Sequence, residues 1–337
     1  MYNRHIFLGE KFEDLSLHII QEKILKEDDY DNVVKKLTNY FLKTKNLKHM
    51  KYGMEFLYVN DDYRNLQFLI IKNKHTQKKS NQEWAKIYQM MIDASKKADL
   101  RLSIINQIQQ FKTRDPDVEI LLEFAFALVH LHSRNFKFLG SSIDKILLLK
   151  KNISSLLLLN CFNERIQQMK FYYYWKQNEV ILARKMANEL LKKPIHSRVK
   201  IRLHAHLGLT YIFDTYERGL YHLEKAYQIA KEVDAQKNLW ILKNHTIPFY
   251  SARFGHTKGL QSEALCEQAH IEIVNGNKKR AIQLLNKMKN KTPFQYYYLG
   301  LATKRRLYLK KSYKIFLDKQ NDLFFCRLPL EALRTMK

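Results

Sequence analysis

Leu223-Glu224-Lys225-Ala226-Tyr227-Gln228-Ile229-Ala230 decides the fold, because Leu223, Ala226, Tyr227 and Ala230 recur at i, i+3, i+4 and i+7, one face of an α-helix. The same frame returns at Ala183/Met186/Ala187/Leu190 and at Ala281/Leu284/Leu285/Met288. Each stretch reads as the second helix of a helix pair. One such pair cannot bury its apolar stripe alone, so several must stack on one another. The expected fold is all-α: a right-handed superhelix of helix pairs, an α-solenoid, with an inner channel where function is to be sought.

Composition agrees. Nine Gly and five Pro in 337 residues are too few for the tight turns of an all-β protein, while good helix formers run throughout. The 59 Lys and Arg against 33 Asp and Glu give a formal charge of +26, which favours an acidic partner. Between residues 273 and 317 there is no acidic residue at all. Lys278, Lys279, Arg280, Lys304, Arg305 and Arg306 are among the cations there, candidates for nucleic-acid or anion contact beside the plainer reading of a solvated surface. Cys161, Cys266 and Cys326 are odd in number and widely spaced, so they suggest neither a disulfide framework nor a zinc site, and a reducing cytoplasm is expected. The N-terminus meets charge too soon for a secretory signal, and the longest apolar stretch, 120–131, is too short to span a bilayer; no membrane role is expected.

Along the chain, amphipathic helices are expected at 31–44, 50–58, 61–72, 81–97, 98–111, 118–132 and 142–150. Asp115-Pro116-Asp117 supplies a capping carboxylate and a helix-initiating proline ahead of the sixth. Clearer pairs follow: 164–176 with 180–192, and 198–213 with 217–232. Within these, Leu207-Gly208-Leu209-Thr210-Tyr211 has the L-G-x-x-Y pattern of a tetratricopeptide (TPR) first helix, in which glycine lets the partner helix approach and tyrosine fills the gap. Residues 238–260 read as irregular, a pair interrupted by a loop. Pairs resume at 262–275 with 278–289 and at 293–301 with 308–317, and 321–335 closes the chain. The domains are expected as divergent N-terminal repeats over 1–160 and TPR-like repeats over 161–337, in one continuous solenoid.

Nothing here supports catalysis, a cofactor or a metal. His130/His132 and His204/His206 are two apart, which on a helix turns the rings about 200° from each other, so they read as partly buried structural histidines. No phosphate loop, zinc-protease, nucleophile-elbow or C-x-x-C motif is present. The run Phe171-Tyr172-Tyr173-Tyr174-Trp175 reads mainly as packing between repeats, with one or two rings left for the channel.

From Arg165 onward the chain resembles the arbitrium receptors (AimR), TPR-like regulators of Bacillus phages that bind a short secreted peptide and choose between lysis and lysogeny. The resemblance lies in Glu267-Gln268-Ala269-His270, then Tyr297-Tyr298-Leu299, then Asn321-Asp322-Leu323-Phe324-Phe325-Cys326-Arg327-Leu328-Pro329-Leu330, in order and in approximate spacing. It extends weakly back to about Phe7.

This resemblance implies a cytoplasmic peptide receptor. Asp322 falls on the family's acidic position, Phe324 on its aromatic neighbour and Arg198 on its basic position; Glu267 and Gln268 match as well. A carboxylate and a guanidinium facing each other could take opposite ends of a short peptide with an arginine and a free C-terminus. Where the family places asparagines, this chain has Tyr172, Lys176 and Leu209 as channel-lining candidates, so a different peptide or none is implied. Leu8-Gly9-Glu10-Lys11-Phe12 resembles the segment following the family's DNA-reading helix-turn-helix, which is not found before it; the family's dimerising tail is not found after Lys337. The implied partners are the signalling peptide and then DNA or a regulatory protein, with a homodimer left open. The alternative is an interaction scaffold or antirepressor without a helix-turn-helix, acting on a partner protein.

Overall fold

The computed structural model describes residues 29–336; the 8–12 segment and both chain ends lie outside them. Every regular element among the described residues is helical. In order they are α1 (Tyr30–Lys43), α2 (Leu47–Val59), α3 (Tyr63–Lys74), α4 (Lys79–Lys96), α5 (Arg101–Gln110), α6 (Pro116–His132), α7 (Leu139–Leu149), α8 (Leu156–Lys176), α9 (Val180–Leu191), α10 (Ser197–Leu209), α11 (Tyr216–Glu232), α12 (Gln236–Ile241), α13 (Ile247–Arg253), α14 (Leu265–Val274), α15 (Lys278–Asn286), α16 (Pro293–Thr303), α17 (Arg306–Lys314) and α18 (Arg327–Thr335). The described residues divide into two compact units, 29–170 with 192–196 and 171–191 with 197–336.

Helix starts follow local chemistry. Asp115 accepts a hydrogen bond from the Asp117 N–H with Pro116 in the first turn, as its sequence predicts. Thr292 and Gln295 cap α16 reciprocally, again with proline in the first turn.

The first unit has a core of Leu, Ile, Val and aromatic side chains from α1 to α8. Inside it lies an ion pair. Arg165 donates to Glu55 at 2.8 Å, Tyr88 donates to the same carboxylate oxygen, and the guanidinium lies between the rings of Tyr58 and Phe124, 4.6 and 4.0 Å from their centroids. Arg165 is held charged by Glu55 against the opposing effect of burial.

In the second unit the opening stripe packs as its period demands. Leu223, Ala226, Ala230, Ala183, Ala187, Leu190, Ala281 and Leu285 are all fully buried, while Met186, Tyr227, Leu284 and Met288 are half-buried. Gly208 of α10 meets Gly219 of α11 so closely that a Cβ on Gly208 would lie 2.8 Å from the Gly219 carbonyl oxygen. The gap is filled by Tyr250, whose hydroxyl donates to the carbonyls of Thr215 and Tyr216; Tyr211 instead stacks on His222 beneath Arg184.

Residues 238–260 correct the sequence reading. Instead of a loop, α12 and α13 form one helical run joined through a π-turn at Leu242–Thr246. The cause is Pro248, which has no N–H for the carbonyl of Asn244 four residues back. That carbonyl accepts from the Ser262 hydroxyl at 2.6 Å. The irregular part is shorter, between Arg253 and Leu265. The 198–213 helix also ends early, at Leu209, where Thr210 turns its hydroxyl back on the Leu207 carbonyl. Conversely, the helix expected at 164–176 starts earlier, at Leu156, taking in the apolar run before it.

Candidate functional site

The second unit gathers three of the residues singled out from sequence into one buried corner. The end of α8 brings Lys176, and the turn ahead of α18 brings Asp322. Lys176 Nζ lies 2.9 Å from Asp322 Oδ2, and both side chains are buried. The backbone doubles the contact: the Leu323 N–H donates to the Lys176 carbonyl at 2.8 Å, and Asp322 Oδ1 accepts from the Phe325 N–H at 2.9 Å. The ammonium also rests 3.9 Å from the Trp175 ring centroid and 4.3 Å from that of Phe325. Asn321, with φ +53°, makes the turn that presents Asp322. Burial, with the nearby Asp322 charge, pushes the Cys326 thiol up to about 11.

Phe324 is fully buried against Trp175, Phe213 and Phe325, with ring centroids 5.8, 5.1 and 5.0 Å away. Trp175 also meets His206 of α10, whose Nδ1 shares a 2.8 Å hydrogen bond with the Tyr172 hydroxyl. Burial, and then the charges of Arg202 and Lys176, hold His206 down at about 3, so its ring is neutral.

Among the described residues, four buried side-chain nitrogens of this unit have no hydrogen-bond partner: Trp175 Nε1, Asn244 Nδ2, Arg253 Nε and His270 Nδ1. Each costs about 1–3 kcal/mol while unmet. An aromatic path connects two of them, from Trp175 in the corner to Phe325 to Phe249 to His270. His270 stacks on Tyr298 at 4.4 Å, and Tyr298 donates to Glu267 at 2.9 Å. Burial raises Glu267 to about 7, a shift that the bonds from Tyr298 and Cys266 moderate. Gln268 accepts from the Ser262 N–H and donates to Glu272.

Arg198 and Leu209 stand apart from the corner. Arg198 is exposed in the first turn of α10, and Leu209 is half-buried at its end. The partners of the Asp322 carboxylate are Lys176 and the Phe325 N–H, and Arg198 is not one of them. Eight positions along α10 separate Arg198 from His206, about 12 Å of helix rise. Lys278, Lys279, Arg280, Lys304, Arg305 and Arg306 are exposed at the starts of α15 and α17. A cavity of about 720 Å³ belongs to the first unit, between α3, α4 and α5, and is lined by none of the residues selected from sequence.

The histidines two apart in sequence take partners on other elements or other turns instead of each other. His130 lies between Phe126 and Phe138, and His204 pairs with His222, their Nδ1 atoms 3.1 Å apart, rather than with His206. Sequence reading missed Trp175, His206, Asn244, Arg253 and His270 as site members. Trp175 was visible within its aromatic run, whereas an unmet nitrogen is a property of tertiary packing and leaves no local signal.

The model of the AimR transcriptional regulator-like family matches residues 33–335. The chain belongs to that family. Its members are transcriptional regulators rather than enzymes. The AimR transcriptional regulator of Bacillus phage phi3T is 22% identical over 331 residues, covering 93% of this chain and 85% of its own. A Bacillus anthracis protein, pXO2-35, is 27% identical over 183 residues, 51% of this chain and 67% of its own. Among solved structures, phAimR with a ligand superposes with a TM-score of 0.80 at 19% identity, over 95% of this chain and 96% of that one. Selenomethionine phAimR gives 0.61 at 20% identity, over 93% and 84%. These likenesses show that the AimR-like chain shares an all-α fold of TPR-like pairs. No helix among its described residues is long and apolar enough to cross a membrane.

Proposed function

We propose that this AimR-like regulator is a cytoplasmic receptor for a short secreted communication peptide, acting on a lysis–lysogeny or related mobile-element programme by changing how it engages DNA or a protein target. The carrying observation is the buried Lys176–Asp322 pair beside the unmet Trp175 nitrogen. A peptide guanidinium can displace Lys176 from Asp322, exchanging one charge-assisted contact for a bidentate pair. Backbone carbonyls of the peptide then offer acceptors to Trp175, Asn244 and His270. Arg198, about 12 Å along α10 from His206, is within reach of the peptide's C-terminal carboxylate, since four extended residues span about 13 Å. Glu267 shapes the far end through Tyr298, and Gln268 through Ser262 and Glu272.

Such a ligand shifts the protein between two states only by binding them unequally. Displacement of Lys176 supplies that inequality, because the open corner exists only with peptide present. The test is calorimetric titration with a synthetic peptide of about six residues that carries an arginine and a free C-terminus, the ligand chemistry this reading requires. Binding by the native chain and its loss in Asp322→Asn, with an unchanged circular dichroism spectrum, is the expected result; equal affinity in both chains removes Asp322 from the site.

A second reading rests on the same ion pair. Asp322 is already neutralised from within, which also suits a scaffold or antirepressor that binds a partner protein and needs no peptide. Capture from a lysogen of one stoichiometric protein, with no peptide binding and no retained operator DNA, distinguishes this reading.

A further inference from the structure

Away from the Lys176–Asp322 corner, the last two helix pairs carry a surface that peptide recognition does not use. α14 and α15 are joined by a three-residue turn, and α16 and α17 by the pair Lys304-Arg305. α14 packs on α16. Because each pair reverses the chain, both turns fall on the same edge of this layer. Immediately after the first turn stand Lys278, Lys279 and Arg280; at the second stand Lys304, Arg305 and Arg306.

All six are exposed, and two are tied down. Arg280 reaches Glu272 at 3.2 Å, and Arg306 donates to the carbonyls of Leu333 and Met336 at the end of α18. The side chains of Lys278, Lys279, Lys304 and Arg305 make no ion pair or hydrogen bond among the described residues. Their placement opposes helix stability, since cations at a helix start face the positive end of its dipole. Neither α15 nor α17 has an acidic residue in its first turn or a side-chain cap. Earlier pairs of the same unit do the reverse: Glu179 precedes α9, and Asp214 and Glu217 bracket the start of α11. Lys304 also takes the left-handed conformation, φ +55°, where the preceding turn uses Gly276.

The geometry points to this edge as a binding surface for the phosphate backbone of duplex nucleic acid, independent of base sequence. Open point charges with no acidic residue between them match a repeating polyanion, which asks for charge and spacing rather than side-chain fit. Beside these cations the exposed large apolar side chains are Leu307 and Val274, less than the apolar centre of a protein contact or insertion into a bilayer requires.

The experiment uses the full chain and fluorescence anisotropy with a labelled random-sequence DNA duplex across a salt series. Two quadruple variants carry equal charge changes: K278Q/K279Q/K304Q/R305Q at the edge, and K185Q/K231Q/K237Q/K243Q at exposed lysines elsewhere in the unit. The edge variant is expected to bind at least about tenfold more weakly, with a salt slope shallower by about 3–4. The control is expected to stay within about twofold. Equal weakening of the two variants, absence of duplex binding by the native chain at low salt, or tighter binding to phosphatidylserine vesicles or polyglutamate than to duplex would overturn the assignment.

Discussion

α8 carries two buried cations, Arg165 in the first unit and Lys176 in the second, each paired with a buried carboxylate, and they differ in the cation itself. Arg165 shares Glu55 with Tyr88 and lies between two aromatic rings within a closed core. Lys176 rests on two rings as well, those of Trp175 and Phe325, but meets Asp322 through an ammonium, and each pair has an unmet buried atom among the described residues, Glu55 Oε1 in one and the neighbouring Trp175 Nε1 in the other. A guanidinium is planar and fixes its partner's geometry; an ammonium is a point charge on a flexible stem and can withdraw. The first pair is suited to permanence and the second to exchange.

The largest expected effect tests the permanent half. Arg165→Ala should cost about 3–5 kcal/mol in chemical denaturation, because it leaves Glu55 charged and buried without a partner. Replacing both Arg165 and Glu55 by Met should recover most of that loss. If the single change is nearly neutral, the contrast between the pairs fails.

Packing in the second unit gives the next effect. A Cβ on Gly219 would lie 2.0 Å from the Tyr250 hydroxyl, so Gly219→Ala should destabilise by about 1–3 kcal/mol, read as a lower melting temperature. Because Gly219 is not a residue of the exchangeable pair, peptide should raise the melting temperature of the variant by about as much as that of the native chain.

A further effect depends on pH. The native Glu267 carboxyl titrates near 7, above its ordinary 4.5, so the folded chain holds a proton that the unfolded chain releases between those values. Its favourable contribution is complete below 4.5 and is lost as pH rises through 7. Glu267→Gln should therefore gain up to about 3 kcal/mol at pH 8 relative to its effect at pH 4.5, measured by urea denaturation at both. His206 and His270 act with the opposite sign: both are held near 3 by burial first, so stability falls as pH drops from 6.5 toward 3.

The sequence made the repeat frame legible because burial on a helix face leaves a period. Ala183, Leu223 and Ala281 needed no tertiary information, and Asp115-Pro116 and Gly208 announced their local roles. The π-turn at Leu242–Thr246 was hidden, because the displaced Asn244 carbonyl finds its acceptor role with Ser262, beyond the helix. The site was legible in part. Asp322 and Phe324 stood out through family resemblance, but the Lys176 contact spans 146 residues of chain and leaves no local pattern. Arg198 was chosen from the same resemblance, and its exposed position on α10 separates it from the corner by most of a helix.

The most direct measurement is the melting temperature of native chain, Lys176→Met and Asp322→Asn, each with and without the arginine-containing peptide. Lys176→Met should melt lower alone, because Asp322 loses its partner, and should gain more from peptide than the native chain does; Asp322→Asn should gain nothing. The same peptide-induced gain in all three would contradict the exchange of Lys176 for a ligand cation.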